Sequence, residues 1–271
     1  MPELPEVETT RYGIAPALEG QKITALVIRE PRLRWPIPKD LPEKLQGQIV
    51  NSVKRRAKYL LLETQSGSAM IHLGMSGSMR IVSTQDAPEK HDHFDIVTAA
   101  GDIIRYNDPR RFGSLLWAGL NPDTHALLRK LGPEPLEEGF TGVYLWESSR
   151  SRRISIKQHI MNSKVVAGVG NIYANEALFM AGIHPARQAG RIALPRMENL
   201  SKEIKTVLTA AIKQGGTTLR DYRGGDGKPG YFKQELRVYE RGNQPCKTCG
   251  TPIKQIVQGQ RATYYCKHCQ R

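Results

Sequence analysis

Gly132-Pro-Glu-Pro-Leu-Glu-Glu-Gly-Phe-Thr-Gly142 separates two stretches of different hydrophobic period. Glycine and proline at this density favour turns over regular structure, so the segment reads as a linker. Upstream, the apolar runs are short and lie between Gly, Pro and Asp: Ile23–Ile28, Tyr59–Leu62, Met70–Leu73, Met79–Val82, Phe94–Val97, Ile103-Ile104 and Ser114–Trp117. That spacing suits an antiparallel sandwich. A helix precedes it, because Leu4, Val7, Ile14 and Leu18 fall on one helical face and Gly20 can end the run. Downstream the period lengthens. Met197, Leu200, Ile204, Val207, Leu208, Ala211 and Ile212 trace an amphipathic helix closed by Gly215-Gly216. Ile172–Met180 forms another, approached through Gly168-Val-Gly-Asn171, a turn that exposes backbone amides at a helix N-terminus and suits helix-turn-helix architecture. The fold class is therefore α+β. We expect a β-sandwich domain over 1–132 with a leading α-helix, a linker over 133–150, a helical domain over 151–232 and a small C-terminal module over 233–271.

That C-terminal module holds all four cysteines of the chain, as Cys246-x2-Cys249 and Cys266-x2-Cys269. In a reducing compartment two such knuckles present four soft ligands to one tetrahedral zinc, where disulfides would be the alternative. With every coordination place filled by protein, a Zn2+ here is structural and the module is a zinc ribbon.

The net charge is +14, which points to a polyanionic partner. Its distribution is uneven. Residues 1–132 carry 18 Lys+Arg against 15 Asp+Glu, a net +3, whereas residues 133–271 carry 22 against 11, a net +11. The helical half with its ribbon is thus expected to grip nucleic acid. No apolar run of 18 or more residues and no basic stretch with an apolar core at the N-terminus occur. We expect a cytosolic protein, with no membrane span and no secretory signal.

The chain begins Met1-Pro-Glu-Leu-Pro-Glu6. Removal of Met1 would expose the secondary amine of Pro2, which on attacking an electrophilic carbon yields a permanently charged iminium. An α-amino group titrates near ~7.7–8.0, so much of it is unprotonated at neutral pH, whereas a lysine near ~10.4 needs desolvation to match it. A helix N-terminus disfavours an added cation and helps the amine shed its proton. Glu3 beside it can act as general acid and then base, with Glu6 one turn further on. Proline and glutamate are also ordinary helix-start residues.

Two basic segments fit a nucleic-acid partner. Lys54-Arg-Arg-Ala-Lys58 precedes a strand and reads either as a phosphate-binding edge or as a solvated edge that blocks aggregation. Asp108-Pro-Arg-Arg-Phe-Gly113 sets two arginines and an aromatic at a turn, a tip able to wedge into stacked bases. His91-Asp-His93 reads as a strand start in preference to a metal site. Residues 220–230, Arg-Asp-Tyr-Arg-Gly-Gly-Asp-Gly-Lys-Pro-Gly, read as a flexible glycine-rich loop.

Taken together, Pro2–Glu6, Lys58, His72-Leu-Gly-Met75, the Asp108–Gly113 loop, Gly168–Asn171 and the four-cysteine finger with Gln260-Arg-Ala-Thr263 resemble the formamidopyrimidine-DNA glycosylase family, including its endonuclease VIII branch. The likeness runs over essentially the whole chain, and Leu4 with the Pro-Arg-Arg-Phe loop is similar to the purine-specific branch. The resemblance implies a helix-two-turns-helix domain and a bifunctional enzyme. It would flip oxidised purines, 8-oxoguanine and formamidopyrimidines, out of duplex DNA, excise them, and cleave the abasic site by β,δ-elimination through an imine at Pro2.

It also implies residue roles. Pro2, Glu3, Lys58 and Arg261 are the expected catalytic residues. Met75, Arg110 and Phe112 resemble the groups that fill the void left by the flipped base, with Arg110 facing the orphaned cytosine. Lys58, His72, Arg111, Asn171 and Arg261 match phosphate-holding positions, and His91 and Lys157 join the DNA-binding set. Arg220, Tyr222 and Arg223 belong to the loop expected to close over the lesion. Two departures, Arg220 in place of a lysine and Gln158-His159 in place of a Pro-aromatic pair, bear on lesion preference and loop dynamics and not on reaction class. The expected partner is duplex DNA bearing an oxidised purine or abasic site, held in the basic cleft between the domains by a monomer. The competing readings are an endonuclease VIII-like enzyme for oxidised pyrimidines and a non-catalytic zinc-finger sensor of damaged DNA.

Overall fold

The computed structural model describes residues 2–215 and 236–271 of the chain. They fall into two compact units, the first built on Met1–Lys130 and the second on Leu131–Lys213 with the C-terminal module.

The first unit opens with helix α1 (Leu4–Leu18). Leu4, Val7, Ile14 and Leu18 are all fully buried, each stabilising the fold by roughly 2 kcal/mol relative to exposure. Gly20 leaves the helix at φ +76°, a conformation that costs glycine no Cβ strain. Two antiparallel four-stranded sheets follow. One has the order β1-β6-β7-β5 and the other β2-β3-β4-β8. The first comprises β1 (Ile23–Ile28), β6 (Asp92–Thr98), β7 (Ile103–Asn107) and β5 (Ser78–Val82). The second comprises β2 (Val50–Arg56), β3 (Tyr59–Thr64), β4 (Gly67–His72) and β8 (Ser114–Gly119). Ile23, Phe94, Ile96, Ile104 and Met79 from one sheet and Val53, Leu60, Leu62, Ile71 and Leu115 from the other join Val7, Ile14 and Leu18 in one core. A short helix, α2 (Leu41–Leu45), adds Leu41 and Leu45 to it. The N-terminal β-sandwich with its leading helix is thus present.

The second unit is helical. It contains α3 (Gly142–Ser149), α4 (Ile156–Ile160), α5 (Asn171–Met180) and α6 (Leu194–Lys213). Helix α3 lies inside the segment expected as linker. Thr141 caps it by accepting the Tyr144 N–H, and Leu145 is fully buried. Gly142 packs so closely on the Glu198 backbone of α6 that a Cβ would collide with it. The glycine that suggested a flexible joint is there for helix contact. Helix α6 buries Met197, Leu200, Ile204, Val207, Leu208 and Ala211, matching the periodic stripe. A two-stranded ribbon, β9 (Lys254–Gln258) and β10 (Arg261–Tyr265), completes the unit. No helix among the described residues is long and apolar enough to cross a membrane.

Candidate active site

Pro2 and Glu3 are buried at the start of α1. The Glu3 N–H donates to Glu6 Oε2 at 2.9 Å, and the Glu3 side chain accepts the Glu6 N–H, so the two form a capping box. The ordinary role of these glutamates as helix-start groups is therefore real, and the box fixes the Pro2–Glu3 peptide, directly after the Pro2 nitrogen. Glu3 is 2% exposed and Glu6 is fully buried, so this corner of the molecule is largely shielded from water.

Lys58 sits in the two-residue turn that joins β2 to β3, where Arg56 pairs with Tyr59. Ala57 in that turn takes φ 52°, which strains an L residue and is held by the hairpin. His72 ends β4, opposite Tyr59, with the rings 4.8 Å apart. Its Nδ1 accepts the Gly74 N–H at 2.9 Å. Burial, then the charges of Lys58 and Arg34, push the ring down to about 4, so it is neutral at physiological pH.

Met75, Arg110 and Phe112 project from two loops of the first unit, and Met75 and Phe112 are exposed although large and apolar. The loops touch through Gly74, whose hydrogen in place of a Cβ lets it lie against the Phe112–Gly113 backbone. The Arg110 guanidinium lies 4.8 Å from the Phe112 ring centre. Arg111 adopts φ 54° and reaches Glu30 at 3.4 Å. His91 is half-buried, and its carbonyl accepts the Asp108 N–H at 3.0 Å.

In the second unit, Gly168 takes φ +79° and Gly170 precedes α5, so Asn171 opens that helix. Asn171 Nδ2 donates to the Ala262 carbonyl at 3.1 Å. Lys157 Nζ donates to the same carbonyl at 3.0 Å and to Thr263 Oγ1 at 2.6 Å. Lys157 is 1% exposed, so its ammonium braces β10 where the sequence suggested a DNA contact. Arg261 is exposed at the first position after the Gly259-Gln260 turn, both of whose residues have positive φ as a tight hairpin demands. Arg220, Tyr222 and Arg223, with the whole 220–230 loop, lie outside the described residues.

The four cysteine sulfurs lie within 4.8 Å of one another, with Cys246–Cys269 at 3.9 Å and Cys249–Cys266 at 3.4 Å. Zn–S bonds of about 2.3 Å at tetrahedral angles require about 3.8 Å between sulfurs, so the cluster fits zinc. Hydrogen bonds from Thr251 bring the Cys249 thiol down to about 6, while burial raises Cys266 and Cys269. Four crowded thiols cannot all ionise unaided; a dication supplies the missing charge. The finger is anchored from α5. Glu176, 2% exposed, accepts the N–H groups of Arg237, Val238 and Tyr239 at 2.8–3.0 Å. Asn175 Oδ1 accepts the Tyr264 N–H at 2.8 Å. Sequence reasoning missed Glu176, since a buried carboxylate has no local signature beyond its residue type.

The Formamidopyrimidine-DNA glycosylase N-terminal domain matches residues 1–115, the Formamidopyrimidine-DNA glycosylase H2TH domain residues 131–223, and the zinc finger found in FPG and IleRS residues 243–271. The formamidopyrimidine-DNA glycosylases of Methylococcus capsulatus and Photobacterium profundum are 58% and 55% identical over 271 residues, covering 100% of both chains in each case. Among solved structures, the MutM (Fpg) protein from Thermus thermophilus is 35% identical, with a TM-score of 0.89 over 99% of this chain and 98% of that one. Lactococcus lactis Fpg in complex with abasic-site DNA is 33% identical, with a TM-score of 0.92 and 100% of both chains covered. The same L. lactis enzyme has been solved with Fapy-dG DNA, at 32% identity and a TM-score of 0.90 over 99% of this chain and 100% of that one. The chain belongs to the formamidopyrimidine-DNA glycosylase family. It is a base-excision repair glycosylase with abasic-site lyase activity, and its four cysteines hold one structural zinc.

Proposed function

We propose that the enzyme excises oxidised purines, 8-oxoguanine and formamidopyrimidines, from duplex DNA with the Pro2 amine as nucleophile. The observation that carries this reading is the buried Pro2–Glu3 pair at a capped helix N-terminus. Once Met1 is removed, the Pro2 nitrogen attacks C1′ of the flipped nucleotide. The glycosidic bond from C1′ to the base breaks, its electron pair leaves with the base, and the proton shed by the Pro2 nitrogen neutralises the departing base. The Glu3 carboxyl gives a proton to the sugar ring oxygen as C1′–O4′ opens, which leaves an iminium between C1′ and Pro2. As carboxylate it then serves as base. Loss of a C2′ proton expels the 3′ phosphate, and a second elimination expels the 5′ phosphate.

Lys58, His72, Arg111, Asn171 and Arg261 hold phosphates around the lesion. A neutral His72 donates one hydrogen bond and adds no charge. Met75, Arg110 and Phe112 fill the void, at a stacking cost of a few kcal/mol that flipping incurs. His91 supports the arginine loop from behind, and Lys157 acts on DNA through the β10 turn that carries Arg261. The sandwich domain ends near residue 132, and the 133–150 segment, which carries α3, belongs with the helical domain. The enzyme works as a monomer in the cytoplasm, at the nucleoid, where its substrate lies.

Borohydride reduction on an 8-oxoguanine duplex tests the reading. A covalent protein–DNA adduct at Pro2 is expected. Absence of any adduct with protein lacking Met1 would sink the nucleophile assignment, and faster release of thymine glycol than of 8-oxoguanine would move the enzyme to the pyrimidine branch.

A further inference from the structure

Asp108 is fully buried, and its carboxylate gathers four neutral donors, three from two loops and one from β7. Oδ1 accepts from the Ser76 hydroxyl at 2.7 Å and the Arg110 N–H at 3.2 Å. Oδ2 accepts from the Tyr106 hydroxyl at 3.1 Å and the Gly113 N–H at 2.9 Å. The Asp108 carbonyl accepts from His93 Nε2 at 2.7 Å and from the Arg111 N–H at 3.1 Å. Tyr106 is itself fixed, fully buried and stacked on Phe94 at 4.7 Å between ring centres. Its hydroxyl is walled in by Gly77 and Gly113, since a Cβ on Gly113 would collide with it and one on Gly77 would stand only 2.7 Å away.

Ser76 follows Met75 directly, and the donors Arg110 and Gly113 bracket Arg111 and Phe112. The carboxylate therefore ties the Met75 loop to the Arg110–Phe112 loop through bonds that bypass all three exposed side chains. We infer that Asp108, with the Ser76 and Tyr106 hydroxyls, is the positioning unit that fixes Arg110 and Phe112 against Met75 and thereby sets how strictly the base opposite the lesion is read. This rests on the void-filling reading of Met75, Arg110 and Phe112 given above. The physical ground is that a buried carboxylate with all its lone-pair directions used admits one loop arrangement, whereas loosened loops sample many. Hydrogen bonds to a charged acceptor are also the stronger kind.

The test compares single-turnover excision of 8-oxoguanine opposite cytosine and opposite adenine. Wild type, Ser76→Ala, Tyr106→Phe, Arg110→Ala and the double variant Ser76→Ala/Arg110→Ala would be measured, with thermal melting and zinc content as folding checks. We expect Ser76→Ala and Tyr106→Phe each to lower the cytosine-over-adenine ratio by about tenfold, through the rate of excision more than through KM. In the Arg110→Ala background, Ser76→Ala should change the ratio by less than about twofold, because a residue acting through Arg110 has nothing left to act on. If both hydroxyl variants melt lower yet keep the wild-type ratio, the unit is only structural and the inference falls while the void-filling reading stands. If Arg110→Ala itself keeps the wild-type ratio, the void-filling reading fails and takes the inference with it. Tyr106→Phe deletes a single oxygen, so it decides the matter should Ser76→Ala not fold.

Discussion

Glu8 on α1 and Arg55 on β2 meet at 2.7 Å, and Arg55 Nη1 also donates to the Ala57 carbonyl at 3.1 Å. Two residues thus connect the helix entered through Pro2 and its cap Glu3 to the turn that bears Lys58. Arg11 reinforces the carboxylate at 2.7 Å. Burial alone would raise Glu8, but hydrogen bonds and charge from Arg11 and Arg55 outweigh it and hold the carboxyl below its ordinary range. The strained φ of Ala57 is stabilised at its own carbonyl by the same guanidinium.

Replacing Arg55 with methionine keeps the buried stem and removes both bonds. Glu8 and Arg55 are each about one-tenth exposed, between the surface and fully buried regimes, so a loss of roughly 2 kcal/mol is expected in urea denaturation. Excision should slow further than stability explains, because the Lys58 turn loses its tie to α1. A variant with wild-type single-turnover rate would show that the tie is structural only.

Acid should weaken the fold in two stages. His159, 1% exposed, is pushed down to about 4 by burial and then by Arg152, and His72 is lowered to a similar value. Unfolded histidine takes its proton near ~6.5. Between that pH and about 4 the unfolded chain binds protons that the folded one refuses, so stability falls as pH drops, by at most about 1.4 kcal/mol per pH unit for each ring. Below this window a second loss begins. Glu8, Asp92 and Asp95 keep depressed pKa values through their arginines despite burial, and their contribution disappears as pH falls through those values. Urea midpoints from pH 7.5 to 3.5 should decline from about pH 6.5 downward. A midpoint flat to pH 5 would contradict the histidine stage.

Much of this architecture is written in local pattern. The α1 stripe, β1 and the α6 period are visible because burial on one face repeats at a fixed interval. β2 is less so: Asn51-Ser-Val-Lys-Arg-Arg56 reads as a charged run, and only pairing with β3 makes it a strand. The five-residue helices α2 and α4 are too short to show a period. α3 is concealed by Gly142, which signals a joint in sequence and a close helix contact in space. At the site, charge and motif single out Arg110 and Phe112, but not what holds them. The Asp108 carboxylate, the Glu8–Arg55 tie and the Lys157–Ala262 bond join residues 32, 47 and 105 positions apart, and no window along the chain contains them.

Zinc and the finger's docking should be lost together. Cys266 is fully buried in a small cluster with Phe179, Val238, Cys246 and Ile253, so the metal also organises the surface on which α5 ends. Cys249→Ser should release zinc, since three thiolates leave the tetrahedron open, and should abolish duplex binding because metal binding and local folding are coupled. Metal analysis alongside a gel-shift titration checks both. Tight binding without zinc would mean that the second unit grips DNA without its ribbon.

Pro2→Gly separates nucleophile from scaffold. Glycine leaves a primary amine at the same place once Met1 is removed, and the Glu3–Glu6 capping box needs nothing from the Pro2 ring. Binding to an uncleavable abasic-site duplex should therefore stay within about threefold, a difference of less than 1 kcal/mol. The amine, however, loses the ring that fixes its direction and the secondary nitrogen that gives a permanently charged iminium. Misplacing a reacting atom by about 1 Å costs on the order of 100-fold, so excision of 8-oxoguanine should fall by that much or more. The phosphate contacts assigned to Lys58, Asn171 and Arg261 involve no atom of Pro2, so weaker binding in step with weaker excision would mean that the substitution had disturbed the fold. Unchanged turnover at unchanged affinity would remove Pro2 from the chemistry and leave a lysine amine as the group to be trapped.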